Sequence, residues 1–253
     1  MRMLIDHPGA GQSDERTLAP ESPMASSAPI TRFWPRAAAR RNRAITVRTY
    51  NRLAPAMTQI LAARPTRAAL IFETALRLTP FPDVEHALEE LDCDELYFNE
   101  TRSSPPGSLG QACKNFWQMN ALRPLAMRAP PAPSNAEKLL LRRMLLHDVC
   151  HVLLDFKPDW PGQLGVSCFV AAQRYCPQFE WSARQLAQVY TTAAPWLRDE
   201  LAEAEARGRR LGVATPRLLT MRIEREWEAP VAHLRDRLGI RKRRTLRPIE
   251  WDA

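Results

Sequence analysis

Leu139–Gln173, LLLRRMLLHDVCHVLLDFKPDWPGQLGVSCFVAAQ, is the stretch whose reading decides the fold. Ser134-Asn135-Ala136-Glu137 just ahead of it matches a capping box, S-x-x-E before an apolar run, and predicts a helix starting near Asn135. That helix runs through His151 to Leu154 or Asp155, where Lys157-Pro158 ends it. Pro161-Gly162 marks a turn, and a second helix is predicted from near Gln163 to Tyr175. His147 and His151 are four apart, so a helix stacks them on one face, with Asp148 alongside. From early in the second helix, a side chain at Gln163 can fold back to face them. Two imidazoles and a carboxylate in this spacing suit a divalent metal, zinc first, with cobalt, iron or manganese as alternatives. The plainer reading is a pair of histidines capping a buried helix face.

The rest of the chain is read as helical too. Asp83–Leu91 has an acidic first turn behind Pro82, which favours a helix start. Ser103–Gly110 (SSPPGSLG) is a turn that opens a helix over 109–120, carrying Phe116 and Trp117. Leu53–Leu78, broken by Pro55 and Pro65, suggests two short helices, and Pro124–Pro133 a surface linker. Glu180–Ala206 reads as a long helical pattern that Pro195 kinks or divides, with its end at Gly208 and the basic run around it. Arg222–Leu238 reads as another, kinked or divided at Pro230 and ended by Gly239. No alternation of period two is long enough for a sheet. The expected fold is all-α: a single multi-helix domain over 49–240 built around the helix-loop-helix that carries HDxxH. It is preceded by a disordered tail (1–30) and a basic lead-in (31–48), and followed by a basic tail (241–253).

Composition narrows the class. The chain has 253 residues and a net charge of +8, enough length for one full core. Its basic balance suits an anionic membrane surface or simply a solvated arginine-rich face. Nucleic-acid binding would rest on charge alone, and no nucleic-acid partner is expected. The five cysteines form no C-x-x-C pair, which predicts reduced thiols in a cytosolic setting. No apolar run approaches the ~18–20 residues of a membrane span, and the first residues lack the pattern of a secretory signal.

Three ordered blocks resemble one family. The first is Pro106-Gly107-Ser108-Leu109-Gly110 with Phe116 and Asn120. The second is His147-Asp148-x-x-His151, then eleven residues to position 163, with Gly162 and Ala172-Gln173. The third is Gly208-Arg209-Arg210, Glu226-Trp227-Glu228, Leu234-Arg235 and Leu238-Gly239-Ile240. Together they are similar to the coenzyme Q (ubiquinone) biosynthesis protein 4 family. The resemblance implies an all-helical protein, cytoplasmic and peripheral on the inner membrane face. It implies a groove for a polyprenylated quinone precursor or isoprenoid lipid and other ubiquinone-biosynthesis enzymes as partners, with a homodimer left open. It also implies one of two roles, organising those enzymes or replacing the ring carboxylate by hydroxyl in a metal-dependent oxidative decarboxylation. Carried over by position, the metal residues are His147, Asp148, His151 and Gln163, and the catalytic residues are His147, Asp148 and His151.

Gln163 departs from the family, which has Glu there, and Val170 stands where the family has a further acid. Cys113 stands where the family usually has an aromatic residue. A neutral amide is a weaker ligand for a dication, so the chain reads either as an enzyme or as a scaffold that no longer needs the metal. The rival outside the family is a metal hydrolase on the HDxxH helix. Its acid is one methylene shorter than in H-E-x-x-H, which makes poor general-base geometry. A His-Asp phosphohydrolase would need His86 and Asp199 as further ligands.

Overall fold

The computed structural model describes residues 73–77, 81–91, 103–124 and 132–240, whose regular elements are all helical, with no strand among them. The expected N-terminal tail, basic lead-in, linker centre and C-terminal tail lie outside the described residues. The helices are α1 (Pro82–Glu89), α2 (Leu109–Asn120), α3 (Asn135–Leu145), α4 (His147–Leu154), α5 (Trp160–Ala172), α6 (Pro177–Ala193), α7 (Arg198–Ala214) and α8 (Val231–Arg237).

Local chemistry sets most of the boundaries. The Ser108 side chain accepts from the Gln111 amide at 3.1 Å and opens α2. Ser134 and Glu137 close the expected capping box on α3. Asp159 accepts from the Gly162 amide at 2.9 Å, so α5 starts at Trp160, three residues before the predicted start. Proline in the first turn costs no helical hydrogen bond, and Pro82, Pro161 and Pro177 all sit there. α5 is buried along most of its length, which its near-uniform apolarity requires.

Three expectations are corrected. The central helix is divided at Leu146, whose φ −85° and ψ 1° leave helical geometry. Its apolar spacing continues unbroken across the bend, so periodicity does not register it. Pro195 divides the pattern over 180–206 as expected, with a 3-10 turn at Pro195–Leu197, but the helix end expected at Gly208 is absent, since the second helix runs through it to Ala214. Gly208 does not stop α7; it lets α7 touch α5, since a Cβ there would stand 2.2 Å from the Gly165 carbonyl oxygen. Over Arg222–Leu238 only α8 is α-helical. Ile223–Glu226 is a 3-10 turn, and Pro230 is extended at the start of α8, where its backbone pairs with Ser108.

The registry of close contacts fixes the core. Gly208 faces Gly165 and Cys168, and Gly212 faces Phe169 and Ala172, so α5 and α7 run side by side in the same direction. α6 returns between them in sequence: Trp160 stacks on Tyr190 at 4.9 Å, and Glu180 pairs with Arg209 at 2.9 Å. The C-terminal segment folds back over α2, α3 and α4. Leu109 and Gly110, at the start of α2, donate their amides to the carbonyls of Ala229 and Trp227 at 2.9 and 2.8 Å. This satisfies helix-end donors that would otherwise need water.

Candidate functional site

α4 is held by its neighbours on every side. Its last carbonyls accept from two arginines: Arg235 reaches Val152 and Leu153 at 2.7 and 2.9 Å, and Arg207 reaches Leu154 and Asp155 at 2.5 and 3.2 Å. Cations at a helix C-terminus offset the dipole as well as the orphan carbonyls. Asp155 ends the helix in the left-handed region at φ 57°. Arg207 also lies 4.4 Å over the Phe156 ring.

The side chains of interest, His147, Asp148 and His151, belong to the same short helix. The His147 and His151 rings lie 4.8 Å apart, as the four-residue spacing predicts. His151 is 1% exposed. Its Nδ1 is 3.2 Å from the Phe156 carbonyl oxygen, which can only accept, so Nδ1 carries the hydrogen. The lone pair therefore resides on Nε2, which is buried and has no hydrogen-bond partner. Phe116 of α2 stacks on the same ring at 5.5 Å. His147 Nδ1 stands 3.3 Å from Asp148 Oδ1, while Trp117 Nε1 donates to Asp148 Oδ2 at 2.9 Å. The Gln163 side chain lies close enough to the His147 ring to raise its pKa, so it does face the histidine from α5.

Burial sets the electrostatics. It lowers the His147 pKa, with the Asp148 hydrogen bond working against that change. It takes His151 down to about 3, helped by the nearby His147. Burial would raise Asp148, but the His147 hydrogen bond, both imidazoles and the Trp117 donor outweigh it and hold the carboxylate ionised. Burial lifts the Cys150 thiol to about 12 and raises Cys113 as well, so neither is a ready nucleophile. At neutral pH the site therefore holds two neutral imidazoles over one carboxylate.

His147, Asp148, His151 and Gln163 thus lie close together. Among the described residues no three His, Cys, Asp or Glu side chains converge as a metal-binding group. Asp148 is turned toward Trp117 and His147 Nδ1, where it fixes the orientation of that imidazole. His86 of α1 and Asp199 of α7 are both exposed. Trp117, the Phe156 carbonyl and Arg143 belong to the site and were not assigned to it from sequence. Only Arg143 carried a readable signal, lying four residues before His147.

The fold resembles a solved crystal structure from Nostoc punctiforme PCC 73102 with a TM-score of 0.53, at 20% identity, over 80% of this chain and 99% of that one. Among curated relatives, the mitochondrial ubiquinone biosynthesis protein COQ4 homolog of Bos taurus is 30% identical over 174 residues, 63% of this chain and 61% of its own length. The Rattus norvegicus and Homo sapiens homologs are each 28% identical over the same shares. The chain thus spans about three fifths of the length of the curated relatives it matches. A family model described as coenzyme Q (ubiquinone) biosynthesis protein Coq4 matches residues 89–244, which include all of α2 to α8 and every residue of the site. The chain belongs to the Coq4 family.

Proposed function

We propose that this protein acts in ubiquinone biosynthesis by holding a polyprenylated ring intermediate beside a divalent metal on the histidine pair. The observation that carries this is the buried, unpartnered Nε2 of His151, with its ring fixed by Phe156 and its neighbour His147 oriented by Asp148. Pinning Nδ1 to an acceptor is how metal-binding imidazoles are prepared. A buried polar atom without a partner is otherwise costly, by about 1–3 kcal/mol. His147 and His151 would hold the metal, Gln163 would offer a neutral oxygen, and Asp148 would orient His147. The metal, when bound, supplies Lewis acidity toward a ring carboxylate. Zinc is the first expectation for two imidazoles. The chain's own residues exclude water around His151, through Phe116 stacked on its ring, and keep both imidazoles unprotonated.

A second reading is favoured by Gln163. Without the family's glutamate, the same helices serve as a scaffold that binds an isoprenoid tail and the partner enzymes. Attachment at a membrane surface is compatible with either reading: no helix among the described residues is long and apolar enough to cross one, and Trp181 and Trp196 are exposed on and beside α6. The test is elemental analysis of protein purified without chelator or nickel, together with lipid extraction of a membrane fraction. About one metal per chain, lost in His151→Ala and raised in occupancy by Gln163→Glu, supports the metal reading. Metal-free, folded protein that still carries isoprenoids supports the scaffold. Absence of both metal and isoprenoid would overturn the proposal.

A further inference from the structure

α6 has two opposite sides. Phe179, Ala183, Leu186 and Tyr190, spaced four, three and four residues apart, pack into the core. Trp181, Gln185, Gln188 and Thr192 repeat that spacing two residues later, about 200° around the helix, and all four are exposed. Trp181 is 58% exposed, Val189 beside the stripe is 57%, and Trp196, in the turn just past the helix, is 59%. Exposed apolar residues scattered singly are ordinary. Two indoles bracketing one helix, with a valine between them, form a pattern. From Trp181 to Trp196 the one charged residue is Arg184, and Glu180 neutralises it at 2.8 Å. A nucleic acid or an acidic peptide therefore finds no counter-charge along this side. Asp199, Glu200 and Glu203, exposed at the start of α7, add none.

We propose that this side of α6 is the membrane-contacting surface of the protein, lying flat in the headgroup layer of a zwitterionic lipid bilayer with Trp181 and Trp196 as its anchors. Indoles concentrate at that depth, where the ring meets acyl chains and the N–H meets water or headgroups. Gln185, Gln188 and Thr192 stay hydrated between the anchors, as a bilayer surface permits. The core of a protein–protein interface is dry and would strip the water from all three. A neutral strip matches headgroups that carry both charges at once. The inner side of α6 is pinned by the stack of Trp160 on Tyr190 at 4.9 Å, so the outer side is presented without any rearrangement of the helix. The inference rests on the membrane-attachment reading above and adds which surface makes the contact.

The test is flotation of the full chain with phosphatidylcholine vesicles at about 0.15 M salt, where charge-driven binding of a chain of net charge +8 is screened. Trp181→Ser combined with Trp196→Ser is expected to weaken partitioning about ten-fold or more. Met119→Ser, at an exposed apolar position of α2, should leave it unchanged. Brominated phosphatidylcholine should quench part of the tryptophan emission of the parent chain, and the double variant should lose that part, with circular dichroism confirming its fold. Equal partitioning and equal quenching in the two proteins would overturn this surface and leave membrane attachment standing. A parent chain that floats neither with phosphatidylcholine nor with added phosphatidylglycerol removes attachment, and the surface with it. Binding that requires phosphatidylglycerol and survives the double substitution would assign the contact to basic residues elsewhere. A chain that dimerises through the two indoles in sedimentation and ignores vesicles would replace the lipid by a second copy.

Discussion

At the scale of single residues, the site shows how the same motif letters take different tasks. Asp148 sits between two histidines in sequence, yet in space it joins Trp117 to His147. Trp117→Phe keeps the ring and removes one donor from a buried carboxylate. Such a loss costs about 1–3 kcal/mol. It is expected to lower the urea midpoint and weaken metal retention together; a fall in neither would deny Trp117 its orienting role. His151 yields a pH prediction. Its folded pKa, about 3, lies below the 6.5 of a free imidazole. The unfolded chain therefore binds the proton first, so this contribution is complete above pH 6.5 and is lost as pH falls toward 3. Two pH units inside that window correspond to at most about 2.7 kcal/mol. Metal-free protein should thus lose urea stability between pH 6.5 and 4.5, with a shallower slope in His151→Gln. An unchanged slope in that variant would assign the acid sensitivity elsewhere.

At the scale of elements, the helices around the motif were legible because their signals are local. The Ser134 capping box, the Ser108 turn and the four-residue histidine spacing all act within one turn of chain, and each appears where the sequence puts it. What was not legible depends on a neighbour far along the chain. Gly208 reads as a stop because glycine weakens helices by about 1 kcal/mol. α7 continues because the missing side chain admits the backbone of α5. Gly212 repeats this one turn later, with a would-be Cβ 2.3 Å from the Phe169 carbonyl oxygen. A backbone oxygen inside a buried helix has little room to shift. Gly212→Ala should therefore destabilise the protein by about 1–3 kcal/mol, as overpacking does, although alanine is the better helix former. Thermal denaturation decides it, and an unchanged or raised midpoint would mean that α5 and α7 can part at no cost. The bend at Leu146 escaped for a related reason: leucines on both sides of it satisfy the same core whether or not the axis turns.

At the scale of the molecule, three blocks separated by dozens of residues meet around α4. The first gives Phe116, beside Trp117, and the third gives Arg235 for the carbonyl end. Trp227 lies 6.3 Å from Trp117, joining the two blocks to each other. Sequence spacing could place each block but not their convergence, because the pairing of Ser108 with Pro230 has no periodic signature. Two acids in the C-terminal segment test what holds it in place. Glu224 is 2% exposed and pairs with the fully buried Arg142 at 3.2 Å, whereas Glu226 pairs with Arg237 at the surface, both partners 30% exposed or more. Removing one partner of a buried pair strands the other charge and costs about 3–5 kcal/mol, while an exposed pair contributes about 0–1 kcal/mol. Glu224→Gln should therefore approach the whole stability of a small domain, and Glu226→Gln should be nearly silent by chemical denaturation. The Arg142 bonds to the Leu219 and Met221 carbonyls survive both changes, so the contrast isolates the carboxylate. Equal effects from the two variants would show that the segment is held by its apolar residues, Leu219, Ile223 and Trp227, and that the buried charge is incidental to the closure over α4.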